Sequence, residues 1–280
     1  AALFEGTFRK YHAGSEFVPQ DEQVFEDKTI SSTWFLQEAV NAAEKLIGKK
    51  ALYTGNTMGI AGKATNASYR EYFVLEVADP TETILARAYN SDDIVQVRHG
   101  IQFDYKNHKH SATTRFVNHY LKSDGKAYTE TELATMSYYD SFKGRDPRMA
   151  QTIQGPGYIG IGDTAPEQLS MERTLNGYRV IKYISDVSHE GATTSTSDFP
   201  LFRYAEVLLN YAEAMAELNE FDQTVADETI NKLRERVGMS PMKVVELTVD
   251  PYLTDAKTGY TNPVLLGAPN LAQILEVRRE

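Results

Sequence analysis

Between Asp198 and Met239 the chain runs DFPLFRYAEVLLNYAEAMAELNEFDQTVADETINKLRERVGM, and no other stretch limits the possible folds as tightly. Leu201, Ala205, Leu208, Ala212 and Met215 alternate at spacings of four and three, and Ala205, Leu209, Ala212 and Ala216 trace a neighbouring stripe. That period gives a helix one wide apolar face. Ala205, Ala212, Ala214 and Ala216 keep side-chain bulk off the face, so a second helix can approach closely. Asn219 ends the helix. Ala226, Ile230, Leu233 and Val237 form a second stripe, closed by Gly238 in the left-handed position past the helix end and by Pro241. Arg234 and Arg236 fall in the last turn, where the helix dipole favours cations. The spacing predicts an antiparallel helical hairpin of tetratricopeptide-like size.

Elsewhere the pattern is uneven. Residues 1–12 read as a short helix and 12–29 as a polar loop. Ser31-Ser32-Thr33 caps a helix carrying Leu36, Val40, Ala43 and Ile47, with Gly48 at its end. Residues 49–68 hold Gly55, Asn56, Gly59, Gly62 and Asn66 with little periodicity, as a long loop does. Tyr69–Val77 reads as helix and Thr83–Tyr89 as strand or loop. His110–Leu121, Tyr128–Met136 and Met136–Lys143 carry helical patterns, and Gly191–Asp198 and Asp250–Pro269 read as loop.

Composition narrows the function classes. Hydrophobic content of 41% and charged content of 24% are those of a folded globular chain, and 280 residues can bury a sizeable core. No apolar run approaches the roughly 20 residues that span a bilayer. A net charge of −10 argues against nucleic acid, whose phosphates need clustered Lys and Arg.

The residues of the hairpin also resemble a known family. Pro200, Arg203 to Leu209, Tyr211 to Ala214, Ile230-Asn231, Arg234, Arg236, Gly238 and Met239 are similar to the SusD/RagB family. Upstream, Ser123 to Lys126, Phe142, Arg145-Asp146-Pro147-Arg148-Met149, Thr152-Ile153 and Pro156-Gly157 resemble its DG turn, RDPR element and PG loop. Gly177-Tyr178 and Lys182-Tyr183 fit the approach to the hairpin, and Ile274–Glu280 resembles the start of an ERR-type helix. The resemblance implies a mainly α, SusD-like superhelix of tetratricopeptide-like hairpins with a loop-rich middle segment. Residues 1–48 would supply scaffold, 49–190 the ligand and partner segment, and 191–280 the hairpin and tail of a single domain spanning 1–280. It further implies an outward-facing outer-membrane lipoprotein that captures oligosaccharides, or peptides in a close variant. Cargo would pass without catalysis, and without a cofactor or a metal, to a SusC-like TonB-dependent transporter. Family members are longer and lipidated at an N-terminal Cys. This chain has no Cys and stops within the ERR-like element, so it is expected to be part of a longer protein whose lipid anchor it lacks.

Sugar capture asks for flat aromatic faces to stack on pyranose rings, with forked polar groups to bond the hydroxyls. The chain has 17 Tyr and a single Trp, Trp34, at a helix start beside a loop. Tyr53, Asn56, Asn66, Tyr69, Tyr72, Tyr89, Asn90, Asp92 and Arg98 lie in the stretch where the family's ligand-contacting loops vary. Trp34, Tyr53, Asn56, Tyr69, Tyr72, Tyr89 and Arg98 are therefore the candidate ligand-binding residues.

Competing chemistries are weaker. Gly155-x-Gly157-x-x-Gly160 matches a dinucleotide fingerprint, but Ile161–Pro166 cannot readily start the helix such a site needs. His108 and His110 would share a strand face as a metal pair, yet acidic partners at zinc-like spacing are missing. A glycoside hydrolase would need two facing carboxyl groups; Glu206 and Glu213 share a helix face and read as structural. The remaining alternative is a helical-repeat scaffold binding peptides along a concave groove.

Overall fold

Helices carry the architecture. The computed structural model describes residues 1–25, 28–55, 68–90 and 97–280. In chain order the elements are α1 (Ala2–His12), β1 (Gln23–Phe25), β2 (Lys28–Ile30), α2 (Ser32–Glu44), α3 (Ser68–Tyr72), β3 (Thr83–Arg87), α4 (Ile101–Asn107), α5 (Thr114–His119), α6 (Glu130–Thr135), α7 (Pro147–Thr152), β4 (Phe199–Arg203), α8 (Tyr204–Glu217), α9 (Gln223–Glu228), α10 (Ile230–Arg236), α11 (Pro251–Thr254), α12 (Pro263–Leu266) and α13 (Leu271–Arg279). Among the described residues no helix is long and apolar enough to cross a membrane. The chain divides into two units, one of Ala1–Lys50, Tyr204–Leu233 and Pro241–Glu280, the other of Ala51–Arg203 and Arg234–Ser240.

In the first unit α8 is the central helix, and α1, α2, α9 and α13 pack on it. Ala212, Ala214 and Ala216 are wholly enclosed, in one core with Val40, Ala43, Val225, Ala226, Ile230, Leu253, Leu265 and Ile274. The alanine face therefore receives a second helix, as its small side chains require. Asn219 adopts φ +62° and lets the Glu220 amide return to the Met215 carbonyl at 2.8 Å, closing α8.

Two details depart from the sequence pattern. The helix begins at Tyr204, because Phe199–Arg203 pairs as β4, and Leu201 is exposed on that strand. The second stripe breaks into α9 and α10 at Thr229, whose hydroxyl donates to the Val225 carbonyl at 2.5 Å. A Thr hydroxyl turned back on the preceding turn competes with the helical ladder at that point.

α1 crosses α2 closely because Gly6 has no Cβ; a Cβ there would sit 2.8 Å from Leu36 Cγ. Ser31 caps α2 by accepting from the Trp34 amide at 3.2 Å. The tail is less loop-like than its composition suggests. Asp250 and Asn262 each cap a short helix whose first residue is proline, namely α11 and α12.

The second unit has several small cores instead of one. Val117, Met149 and Ile153 form one; Tyr53, Tyr72 and Phe73 another; Leu121, Val237 and Met239 a third; Tyr158, Ile181 and Ile184 a fourth. The RDPR element starts α7: Asp146 accepts from the Arg148 amide at 2.8 Å, Pro147 occupies the first helical position, and the Arg148 side chain forks back onto Asp146. β3 and β4 pair antiparallel, Thr83 opposite Arg203 and Arg87 opposite Phe199, with bulges between. The helix expected over 69–77 is the short α3, and that over 110–121 contracts to α5. After Gly155–Gly160 the chain enters turns, so the dinucleotide fingerprint lacks its helix.

Candidate functional site

The second unit is organised around a buried carboxylate. Glu82, with no exposed surface, accepts from the Tyr53 amide at 2.8 Å, Arg203 at 2.9 Å and Arg236 at 2.8 Å. Burial pushes the Arg236 guanidinium below its ordinary pKa, against the pull of Glu82. Two cations on one enclosed carboxylate fix the start of β3 and the end of β4, since neither Arg can leave without stranding charge.

Three candidate tyrosines serve this frame. Tyr53 donates its hydroxyl to the buried Glu71 and is itself buried. Tyr72, 1% exposed, shares a 2.8 Å hydrogen bond with the Thr83 hydroxyl and meets Phe73 edge-on at 5.1 Å. Burial raises the Tyr72 phenol. Tyr69 is half-buried, edge-on to Phe73 at 5.4 Å, with Lys182 and Arg236 each 5.3 Å from its ring centre. Desolvation pushes the Tyr69 phenol up, but Lys182 and Arg203 outweigh it and hold the group below its usual value. The rings of Tyr53 and Tyr72 are thus enclosed, with no free face for a sugar.

Tyr89 and Arg98 occupy a different setting, an arm described here by residues 87–90 and 97–98, where Arg87, Asn90 and Arg98 are exposed. The Asn90 amide donates to the Val97 carbonyl at 2.9 Å, which sets Asn90 and Val97 side by side. His99 exchanges amide bonds with Ser195 at 2.9 and 3.2 Å, and its Nε2 meets the Ser197 carbonyl at 2.9 Å. Asp198 accepts from the Tyr89 amide at 2.9 Å through one oxygen and from the Ala78 amide at 2.9 Å through the other. The half-buried Tyr89 ring stands edge-on to His99 at 4.6 Å, with the Arg87 guanidinium 5.8 Å from its centre. Arg87, Asn90 and Arg98 are exposed. One aromatic ring, two guanidinium forks and an amide thus share a strip of chain, the groups that stack on and hydrogen-bond a polyol.

Asn56, with Asn66 and Asp92, lies outside the described residues. Trp34 belongs to the first unit, half-buried on the first turn of α2 and edge-on to Phe35 at 4.9 Å. Arg87 in the arm, and Asp198 that holds it, are the residues here that sequence reasoning did not single out. Asp198 ends a Thr/Ser run that reads as linker, although Ser195 is 1% exposed.

The other chemistries resolve as follows. His108 and His110 both turn to Asp104, at 2.7 and 2.6 Å. Desolvation opposes ionisation of Asp104, but the hydrogen bonds from His108 and His110 hold it below the usual carboxylate range. Among the described residues no three His, Cys, Asp or Glu side chains converge as a metal site. Glu213 pairs with Arg278 at 3.0 Å and Glu206 is exposed.

The SusD family model matches residues 81–264, about two thirds of the chain. The solved structure of BT4246 is 19% identical, with 99% of this chain and 58% of that one aligned at a TM-score of 0.57. That likeness is one of fold. A SusD superfamily protein from Parabacteroides distasonis is 17% identical over 99% of this chain and 47% of its own, with a TM-score of 0.49. A SusD-like carbohydrate binding protein from Bacteroides fragilis is 18% identical over 86% and 58%, with a TM-score of 0.44. The chain spans about half to three fifths of the length of these structures. No curated protein sequence matches it. With its mainly α fold, its alanine-faced helix and the family model matched across β3, the RDPR turn and the hairpin, the chain belongs to the SusD family.

Proposed function

We propose that this protein is a non-catalytic surface receptor that captures oligosaccharides and hands them to a SusC-like TonB-dependent transporter. A lipid anchor would hold it at the outer membrane, facing outward. The observation that carries this reading is the exposed arm: Tyr89 offers a ring while Arg87, Asn90 and Arg98 offer hydrogen-bonding forks. Family membership supports the ligand class. Trp34 and Asn56 stand as further candidate contacts. Tyr53, Tyr69 and Tyr72 act by stiffening the unit that carries Tyr89 and Arg98.

The state of the nearby carboxyl groups favours binding over hydrolysis. Asp198 has both oxygens on backbone amides, and Glu76 is engaged by His189 and Thr196. A glycosidase needs one carboxyl free to donate and a second facing it across the sugar. The test is a glycan array and affinity-gel screen with the full-length protein. Retardation by at least one neutral glycan, with no release of reducing ends, is expected. Hydrolysis of the glycan, or no retardation across the panel, would overturn the reading.

A further inference from the structure

We propose that Tyr69, Lys182 and Arg203 form a site for one oxyanion, the carboxylate or sulfate of an acidic sugar. The choice of a sugar as its bearer rests on the reading above; the oxyanion site itself does not.

The cluster is built on two rings. Tyr69 and Phe73 are four residues apart and meet edge-on at 5.4 Å. Lys182 Nζ lies 4.0 Å from the Phe73 ring centre and 5.3 Å from that of Tyr69. The Arg203 guanidinium is 5.3 Å from the Phe73 centre, and that of Arg236 is 5.3 Å from the Tyr69 centre. Glu82 is the carboxylate that answers these cations, and Arg203 and Arg236 already share it. Among the described residues no carboxylate pairs with Lys182. Three cations against one carboxylate leave a surplus of two positive charges. The neighbouring charges do not cancel it. Arg148 and Asp146 balance each other. Glu71, two positions from Tyr69 and so turned away from it around α3, takes the Tyr53 hydroxyl.

The hydrogens point the same way. Lys182 acts on the Tyr69 hydroxyl both as a hydrogen-bond donor and as a charge. An ammonium only donates, so the phenol oxygen accepts and its own hydrogen must go elsewhere. Among the described residues no acceptor takes that hydrogen. A phenol hydrogen and the remaining ammonium hydrogens are the donors that an oxyanion satisfies. Solvent reaches the group: Tyr69 and Lys182 are half-buried, and the Arg203 side chain is 21% exposed. Partial desolvation strengthens each of these charge-assisted bonds relative to water.

The surroundings fit a sugar as the carrier. Tyr183 stands edge-on to Phe73 at 5.5 Å and stacks on Phe199 at 5.2 Å, and both rings of that stack are half-buried. They flank the cations with apolar surface of the kind a pyranose C–H face covers. The chain as a whole carries a charge of −10, which repels a densely charged polymer. Salt screens that repulsion beyond about 8 Å, so a single acidic group meets the local surplus instead. The ligand class is therefore a glycan with sparse acidic residues.

The experiment titrates the full chain with sodium glucuronate, sodium sulfate and glucose at neutral pH and constant ionic strength, read by nitrogen-15 amide shifts at residues 69–73 and 181–183. Glucuronate should move these signals, sulfate should do so more weakly, and glucose should leave them in place. K182M keeps the stem on Phe73 and loses the charge; Y69F keeps the ring and loses the hydroxyl. Each should raise the glucuronate Kd about tenfold, the cost of one charge-assisted hydrogen bond. K182R retains the charge and should stay within about threefold of the parent, a rescue that a role in packing alone does not produce. Should K182M fold poorly, Y69F carries the test. An unchanged glucuronate Kd in both variants would overturn the site. So would phenolate absorbance at neutral pH that disappears in Y69F, since an ionised Tyr69 would itself balance Lys182. Sulfate binding as tightly as glucuronate would overturn the assignment to a sugar. A chain that retards neutral glycans but ignores glucuronate sinks this inference alone; one that binds glucuronate but retards no oligosaccharide sinks the reading above alone.

Discussion

The Tyr11 hydroxyl donates to Glu217 Oε2 over 2.6 Å, inside the first unit, where the Glu217 side chain has no exposed surface. The same oxygen accepts Lys10 Nζ at 2.8 Å, and Oε1 accepts Arg278 at 2.8 Å. One carboxylate thus joins α1, α8 and α13. Burial pushes the Tyr11 phenol far above its usual value, and its hydrogen bond to Glu217 adds to that. Glu217→Ala would leave Lys10 and Arg278 without their shared anion, and removing one partner from such a network costs about 3 kcal/mol. Urea unfolding should show this as a lower midpoint at unchanged slope. A loss under about 1 kcal/mol would mean that water replaces the bonds.

Gly6 sits where α1 meets α2, and a Cβ there would lie 3.1 Å from the Leu36 backbone nitrogen as well as against its side chain. Gly6→Ala should lower stability by about 1–3 kcal/mol despite its better helix propensity. An increase in Tm would show that the helices can part without cost.

Affinity and stability should separate between the arm and the frame. Arg98→Ala should weaken glycan binding about tenfold with Tm unchanged, since its side chain is exposed and a lost charge-assisted hydrogen bond costs about that much. Tyr72→Phe should lower Tm, through the lost bond to Thr83, while leaving affinity within about twofold. Calorimetric titration beside thermal unfolding reads both, and the reverse pattern would move the site to the frame.

Glu132 illustrates the acid side. It completes a capping box with Thr129 and receives Lys122 at 2.7 Å. The Lys122 hydrogen bond, then those from Thr129, bring its carboxyl from 4.5 down to about 2. A depressed carboxylate contributes stability above its unfolded value, and that contribution is lost as pH falls through the folded one. The start of α6 should therefore hold at pH 5 and loosen between about pH 4 and 2. Carbon-13 titration of the Glu132 carboxyl reads this, and a midpoint near 4.5 would remove the argument.

The sequence discloses regular packing better than it discloses which face of a residue is used. Helical period and small side chains are the physical cause of a close helix pair, so Ala212, Ala214 and Ala216 announce it directly. Leu201 fits the same period but lies in β4, because strand pairing with β3 depends on residues more than a hundred positions away. Thr229 interrupts the second stripe through one side-chain bond that no period records. Three helices start on an Asp or Asn followed by Pro, at Asp146, Asp250 and Asn262, but the same pair suits a turn, and by sequence the first reads as a turn and the last two as loop. Tyrosine was the hardest to place. Its ring and hydroxyl suit a sugar and a half-buried core equally, and Tyr72 and Tyr89 differ only in what surrounds them.

Asp198 grips the arm by the amides of Ala78 and Tyr89, main-chain groups that every residue except proline provides. The tether is therefore indifferent to what the neighbouring side chains are. On the reading proposed above, residues 87–90 and 97–98 can be rewritten for a new cargo without rebuilding the mooring, which would make this arm a natural place for recognition to diversify or be re-engineered.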